Sequence, residues 1–205
     1  MKFLKVLWAH GLEGRANGSK PTFLVEQYGW EVISPEMSAN GWTISDQANI
    51  ILETISANPD FDFIMGSSYG ALAIANAASQ LKDTELKLVL LAPAFGLYEN
   101  FRDNIGKEAV AEWQSCGTRS YFHHGFGHNV EFGWDFMESA ENNSWPKFSQ
   151  SAVIIHGTND DIVPFSFSKN YAQENENIEL ITVDDGHRLL ESLHQIGRAA
   201  EKLLK

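Results

Sequence analysis

Short apolar runs alternate along the chain with stretches whose apolar residues recur every three or four positions. The runs are "FLKVLW" (3–8), "WEVIS" (30–34), "FDFIM" (61–65), "LKLVLLA" (86–92), "AVIIH" (152–156) and "IELITV" (178–183). Each is short and rich in Val, Ile, Leu or aromatic residues, the pattern of strands buried on both faces. Helical periodicity fills the gaps. Over 43–57, Ile44, Ala48, Ile51, Leu52 and Ile55 share a face, and Thr43 followed by Asp46 predicts the helix start. Over 69–81, Ala71, Leu72, Ala75 and Ala78 form a smooth face for close packing on a sheet. Over 189–204, Leu189, Leu193, Ile196, Ala200 and Leu203 form another stripe.

This alternation predicts right-handed crossovers and a mainly parallel α/β sheet of about six strands with helices on both faces. The segment 97–151 breaks the rhythm. It reads as one helix over 101–115, then "YFHHGFGHNVEFGWDF", then a helix near 135–143. The part 97–135 is too long for an ordinary connection. It follows the strand at 86–92, so it leaves the sheet at the carboxyl edge and is expected to form a small lid or flap. Within it, the alternation over 121–132 with Gly125 and Gly127 reads as a hairpin. No internal repeat is visible, and 1–205 reads as one domain.

Composition narrows the picture. The chain has 205 residues, 43% hydrophobic, enough for one buried core. A formal net charge of −12 repels phosphate backbones and anionic membranes, which argues against nucleic acid and membrane partners. Cys116 is the only cysteine, so no internal disulfide can form and a reducing compartment is expected. The opening "MKFLKVLWAHG" lacks the apolar core and cleavage site of a signal peptide. No apolar stretch approaches the roughly 20 residues of a spanning helix. The expectation is a soluble cytoplasmic protein.

Candidate chemistry centres on Gly66-Ser67-Ser68-Tyr69-Gly70, between a strand pattern and a helix pattern. A Gly-x-Ser-x-Gly turn in that setting forces its middle serine into a sharp, exposed elbow. Ser68 then stands where ligands bind in an open parallel sheet, beyond the carboxyl ends of the strands. A serine nucleophile needs a base, and the base an orienting acid. "HGTNDDIVPF" (156–165) and "VDDGHRLLE" (183–191) each follow a predicted strand and supply them in the order Ser, Asp, His. His187, expected just before a helix, is the candidate base. Asp160 is favoured over Asp161 as the acid, with Asp161 turning or capping the loop. Asp184 and Asp185 lie too near His187 in sequence and are expected to form the turn. "WAHGLEG" (8–14) ends the first strand. There the Leu12 amide faces that of Tyr69 as an oxyanion pair, Gly11 and Gly14 permit the tight loop, and His10 buttresses it.

Other features have plainer readings. His123, His124 and His128 with Glu131 match no established zinc spacing. Trp113, Trp134 and Trp145 suit an acyl pocket or ordinary packing. "NGSK" (17–20) lacks the spacing of a phosphate loop. No cofactor or metal is expected.

Taken together, His10-Gly11, the Gly66–Gly70 turn, His156-Gly157 with Asp160 and Val163-Pro164, and Gly186-His187 resemble the α/β-hydrolase superfamily. More narrowly, the small size and "HGLEGRANGSKP" resemble the compact bacterial esterases of the YqiA/YcfP-like group. Here the chain begins directly on the strand carrying His10-Gly11, so strands that usually precede it are expected to be missing. The resemblance implies an α/β-hydrolase fold and esterase-type chemistry on a small ester or thioester. The same residues also serve amidases, lyases and non-catalytic ligand-binding proteins on this fold. Oligomeric state is not legible.

Overall fold

The computed structural model describes residues 4–82 and 85–205. Phe3, at the head of the first predicted run, lies outside them. The strands are β1 (Lys5–Ala9), β2 (Glu31–Ile33), β3 (Phe63–Ser67), β4 (Leu88–Leu91), β7 (Ala152–Gly157) and β8 (Ile178–Val183). They form one parallel sheet in the order β2-β1-β3-β4-β7-β8. The six predicted runs are these six strands, with ends displaced by a few residues.

Side chains alternate across the sheet, so each strand feeds two layers. Val6 and Trp8, Phe63 and Met65, Val89 and Leu91, and Val153 and Ile155 pack with α1 (Ser19–Tyr28) and α8 (Gln195–Leu203). Leu7, Ile64, Leu90 and Ile154 pack with α2 (Ile44–Ala57), α3 (Tyr69–Gln80) and α7 (Phe165–Glu174). Neither α1 nor α7 is among the predicted helices; Pro164 precedes α7, which buries Ser168 and Tyr171. Among the described residues no helix is long and apolar enough to cross a membrane.

The start of α2 is as predicted. Thr43 Oγ1 accepts from the Asp46 amide at 3.0 Å, and Asp46 Oδ2 accepts from the Thr43 amide at 3.1 Å. Thr43→Ala should cost about 1 kcal/mol of stability. In a thermal melt that should lower Tm by roughly 2–4 °C.

Two helix expectations need correction. The single helix at 101–115 is two, α4 (Leu97–Ile105) and α5 (Lys107–Cys116), parted at Gly106 with φ 84°. The stripe at 189–204 is helical only from Gln195, so His187 does not immediately precede a helix. The Asp185 carboxylate accepts from the amides of Gly186 at 2.7 Å and Glu191 at 3.0 Å, and Leu189 has φ 53°. These features hold 186–194 as a loop. Leu189 still packs with Ile196, Ala199 and Ala200, so the stripe reported burial correctly and conformation wrongly.

After α5 the insertion forms a hairpin, β5 (Thr118–His123) antiparallel to β6 (His128–Gly133), then α6 (Asp135–Asn143). It folds back over α2 and α3. Phe136 stacks on Phe132 at 4.9 Å, on Tyr69 at 5.7 Å and on Trp113 at 5.9 Å.

Candidate active site

The chain reverses direction in the sheet between β1 and β3. The first crossover carries it to β2 on one side, and the second returns it past β1 to β3. Such a switch point opens a crevice at the carboxyl ends of the two strands. The loop after β1 and the turn after β3 meet there.

Ser68 is the turn between β3 and α3. Its backbone has φ 56° and ψ −119°, a conformation uncommon for a residue with a side chain. The turn is anchored. The Ser68 amide donates to Leu91 O at 2.8 Å, and Ser68 O accepts from Leu72 at 3.1 Å and Ala94 at 3.1 Å. Gly70 admits the neighbouring strand end, since a Cβ there would stand 2.4 Å from the carbonyl oxygens of Ala9 and His10.

Three residues from three loops meet at this turn. Ser68 Oγ lies 3.0 Å from His187 Nε2, and His187 Nδ1 lies 2.7 Å from Asp160 Oδ2. The Asp160 carboxylate only accepts, so His187 carries its proton on Nδ1 and presents a lone pair to the Ser68 hydroxyl. Asp160 has no exposed side-chain surface. Burial alone raises its pKa, but hydrogen bonds from His156 and His187, the electrostatic pull of the His187 ring and the Val163 amide outweigh that and hold it well below the usual carboxylate range. Asp161, the alternative acid, makes no such contact and lines the cleft beside it. Asp184 and Asp185 are turn residues, as expected: Asp184 Oδ1 accepts from Asn159 Nδ2 at 2.7 Å.

Sequence reasoning missed His156 as part of this line. Its Nε2–H donates to Asp160 Oδ2 at 2.9 Å, and its Nδ1 accepts from the Ser168 hydroxyl at 2.7 Å. His156 and Ser168 are both wholly buried. A signal was present. A histidine ending a fully apolar strand, four residues before the favoured acid, must find partners for both ring nitrogens.

Both predicted oxyanion residues, Leu12 and Tyr69, line the same cleft as Ser68. The Tyr69 amide opens α3, and neither it nor the Leu12 amide donates to another described residue. Gly11 sits against the turn: a Cβ there would lie 3.3 Å from Ser68 Cβ. Gly11 O accepts from the Gly14 amide at 2.9 Å and from His10 Nδ1 at 2.9 Å. In a trans peptide the C=O and the following N–H point oppositely, so these bonds aim the Leu12 N–H. His10 Nε2 then accepts from the Met37 amide at 3.1 Å, with the Glu36 carboxylate 3.0 Å from the same nitrogen. The Tyr69 side chain is turned away: its hydroxyl donates to Trp42 O at 2.6 Å, and burial with nearby Asp46 and Asp135 raises its pKa.

Ser68, His187, Gly11, Leu12 and Tyr69 line one cleft of about 1020 Å³. Leu97, Phe101, Ile162 and Leu190 supply apolar wall, and Lys20 and Arg188 add charge. Burial, then the Arg188 charge, lowers the Lys20 pKa. The insertion reaches this cleft through Leu97, Phe101, Tyr121, His124 and Gly125. The three histidines of the hairpin part ways. His123 is buried, whereas His124 and His128 are exposed, and the described residues form no cluster able to hold a metal ion. Trp113 donates to Phe132 O at 3.1 Å and meets Trp134 edge-on, while Trp145 packs on Phe95 and Phe167. All three serve packing; none lines the cleft.

A family model described as Uncharacterised protein family (UPF0227) matches residues 31–202. No curated protein matches by sequence. Solved structures similar to the chain include alpha/beta hydrolase domain-containing protein 10 from mouse, 18% identical with a TM-score of 0.78, covering 99% of this chain and 90% of that one. Est1E from Butyrivibrio proteoclasticus is 19% identical with a TM-score of 0.77, over 99% of this chain and 87% of that one. The esterase EaEST from Exiguobacterium antarcticum is 15% identical with a TM-score of 0.66, over 98% and 90%. At these identities the shared property is the α/β-hydrolase fold.

Proposed function

The chain belongs to the UPF0227 family and is an α/β hydrolase by fold, and from that premise we propose that it is a serine hydrolase acting on a small carboxylic ester or thioester. The observation that supports this most is the hydrogen-bonded line Ser68–His187–Asp160 at the sheet's switch point. Ser68 Oγ attacks the acyl carbon while His187 Nε2 takes its proton. Asp160 stabilises the imidazolium that results. The Leu12 and Tyr69 amides receive the charge that builds on the carbonyl oxygen. His187 then protonates the leaving alcohol or thiol, an acyl-enzyme remains on Ser68, and water activated by His187 releases the acid. No step calls for a cofactor or metal. The apolar wall of Leu97, Phe101, Ile162 and Leu190 suits an acyl chain, with the insertion as its flap. The lone Cys116 fits a reducing, cytoplasmic setting.

The test is turnover of 4-nitrophenyl esters of increasing acyl length. Hydrolysis should proceed without additives and persist in chelator, with a defined preference among chain lengths. Folded protein that cleaves none of them, or needs added metal, would overturn the reading.

A further inference from the structure

The hairpin β5–β6 does more than border the cleft. Two of its residues hydrogen-bond to positions 12 and 13 of the loop that carries the Leu12 amide, and a third packs against that loop. His123 Nε2 lies 2.7 Å from Leu12 O, across 111 residues of sequence. The Tyr121 hydroxyl donates to Glu13 Oε1 at 2.6 Å. Gly125 rests on the same backbone, since a Cβ there would stand 2.4 Å from Glu13 O.

The direction of the first bond is determined. The Phe126 amide donates to His123 Nδ1 at 3.0 Å, so that nitrogen accepts and the ring proton sits on Nε2, facing Leu12 O. The ring has no exposed surface. It stacks on Phe126 at 4.0 Å and meets Trp42 at 5.4 Å, which fixes its plane.

Leu12 therefore lies between two clamped peptide planes. Upstream, Gly11 O is held by Gly14 and His10. Downstream, Leu12 O is held by His123. Gly11 lacks a side chain to resist rotation of the Gly11–Leu12 plane, so without the downstream clamp the Leu12 N–H is freer to swing away. We propose that His123 is a positioning residue that aims the Leu12 amide at the oxyanion, and that the hairpin is a strut for the oxyanion loop. This rests on the serine-hydrolase reading above. It gives the insertion a role in the rate of the chemical step, separate from any role as a flap over the acyl chain.

The decisive comparison is His123→Phe, which keeps a buried ring and removes the donor, against His123→Gln, whose amide can reach Leu12 O. Active sites are counted by the endpoint of fluorophosphonate titration, so that misfolded protein does not enter the rate. Loss of one oxyanion donor costs about 10²–10³ in kcat, and loosening one should cost less. For His123→Phe, kcat per titrated site on 4-nitrophenyl butyrate should fall about 10- to 100-fold with KM within about twofold. Affinity for a boronic acid, which forms a tetrahedral adduct on Ser68, should fall by a similar factor. His123→Gln should restore kcat to within about threefold of the parent. A His123→Phe protein that melts earlier yet keeps its kcat per site and boronate affinity overturns the proposal and leaves the bond as packing alone. Should His123→Phe fail to fold, Tyr121→Phe removes the second strut. It should lower kcat about three- to tenfold at unchanged KM, and an unchanged kcat and boronate affinity there overturns the proposal equally. A parent protein that neither titrates nor turns over sinks the hydrolase reading and this inference with it. An active parent with insensitive variants sinks this inference alone.

Discussion

A fluorophosphonate should modify Ser68 and leave Ser67 untouched, and Ser68→Ala should lower ester turnover by about 10⁴-fold or more. The two serines are adjacent, but the backbone separates them. Ser67 is the last residue of β3, paired with Leu91, and continues the alternation of Phe63 and Met65 toward the α1–α8 layer. Ser68 has left the strand at φ 56°, which turns its hydroxyl to within 3.0 Å of His187 Nε2. Only Ser68 has a base in reach. Alanine tolerates the same φ about as well as serine, so a thermal melt of Ser68→Ala should match the parent. Peptide mapping that places the adduct on Ser67, or finds none on folded protein, would count against Ser68 as nucleophile.

Asp160→Asn should be nearly as damaging, lowering kcat by about 10⁴-fold. The reason lies in proton placement. Asp160 Oδ1 accepts from the amides of Ile162 at 2.9 Å and Val163 at 2.8 Å, and those bonds fix which atom of an asparagine would be oxygen. Its NH₂ would then replace Oδ2, where both His156 Nε2–H and His187 Nδ1–H now donate. Three donors cannot share that point. His187 would move its proton to Nε2 and lose the lone pair that Ser68 needs. Asp161→Asn, without a partner to misplace, should cost far less in the same assay.

The same substitution should change how stability depends on pH. The Asp160 carboxyl titrates below its unfolded value of about 3.9, so its ionised form stabilises the fold. That contribution is complete above about pH 4 to 5 and is lost as pH falls toward the folded value. Asp160→Asn should therefore melt below the parent at neutral pH, with the gap closing as the buffer is made more acid than about pH 4. Melting curves across that range check it. A gap that widens on acidification would mean that the carboxyl is not held ionised.

Much of this architecture is written locally. The strands were legible because their apolar runs are short and β-branched. The start of α2 was legible because a capping box is a four-residue pattern. The turn at Gly66–Gly70 was legible because a strand, a serine between glycines and a small-residue helix follow one another directly. Errors arose where a neighbour outside the pattern intervened. The Leu189–Leu203 stripe predicts one helix because burial repeats with the right spacing. Its first part is a loop because Asp185 takes the Gly186 and Glu191 amides.

What the sequence determined by itself was the order of the six sheet strands and the candidate residues Ser68, Asp160, His187, Leu12 and Tyr69, since periodicity and turn chemistry act over a few residues. What only the tertiary structure decided was which groups touch. His187 reaches Ser68 across 119 positions, and His123 reaches Leu12 across 111. His156 meets Asp160 from only four residues away, yet its other ring nitrogen finds its partner in Ser168 of α7. Each of these bonds needs a direction as well as a residue. Direction comes from burial that leaves a polar group one available partner, and burial exists only once the sheet and its insertion have closed around it.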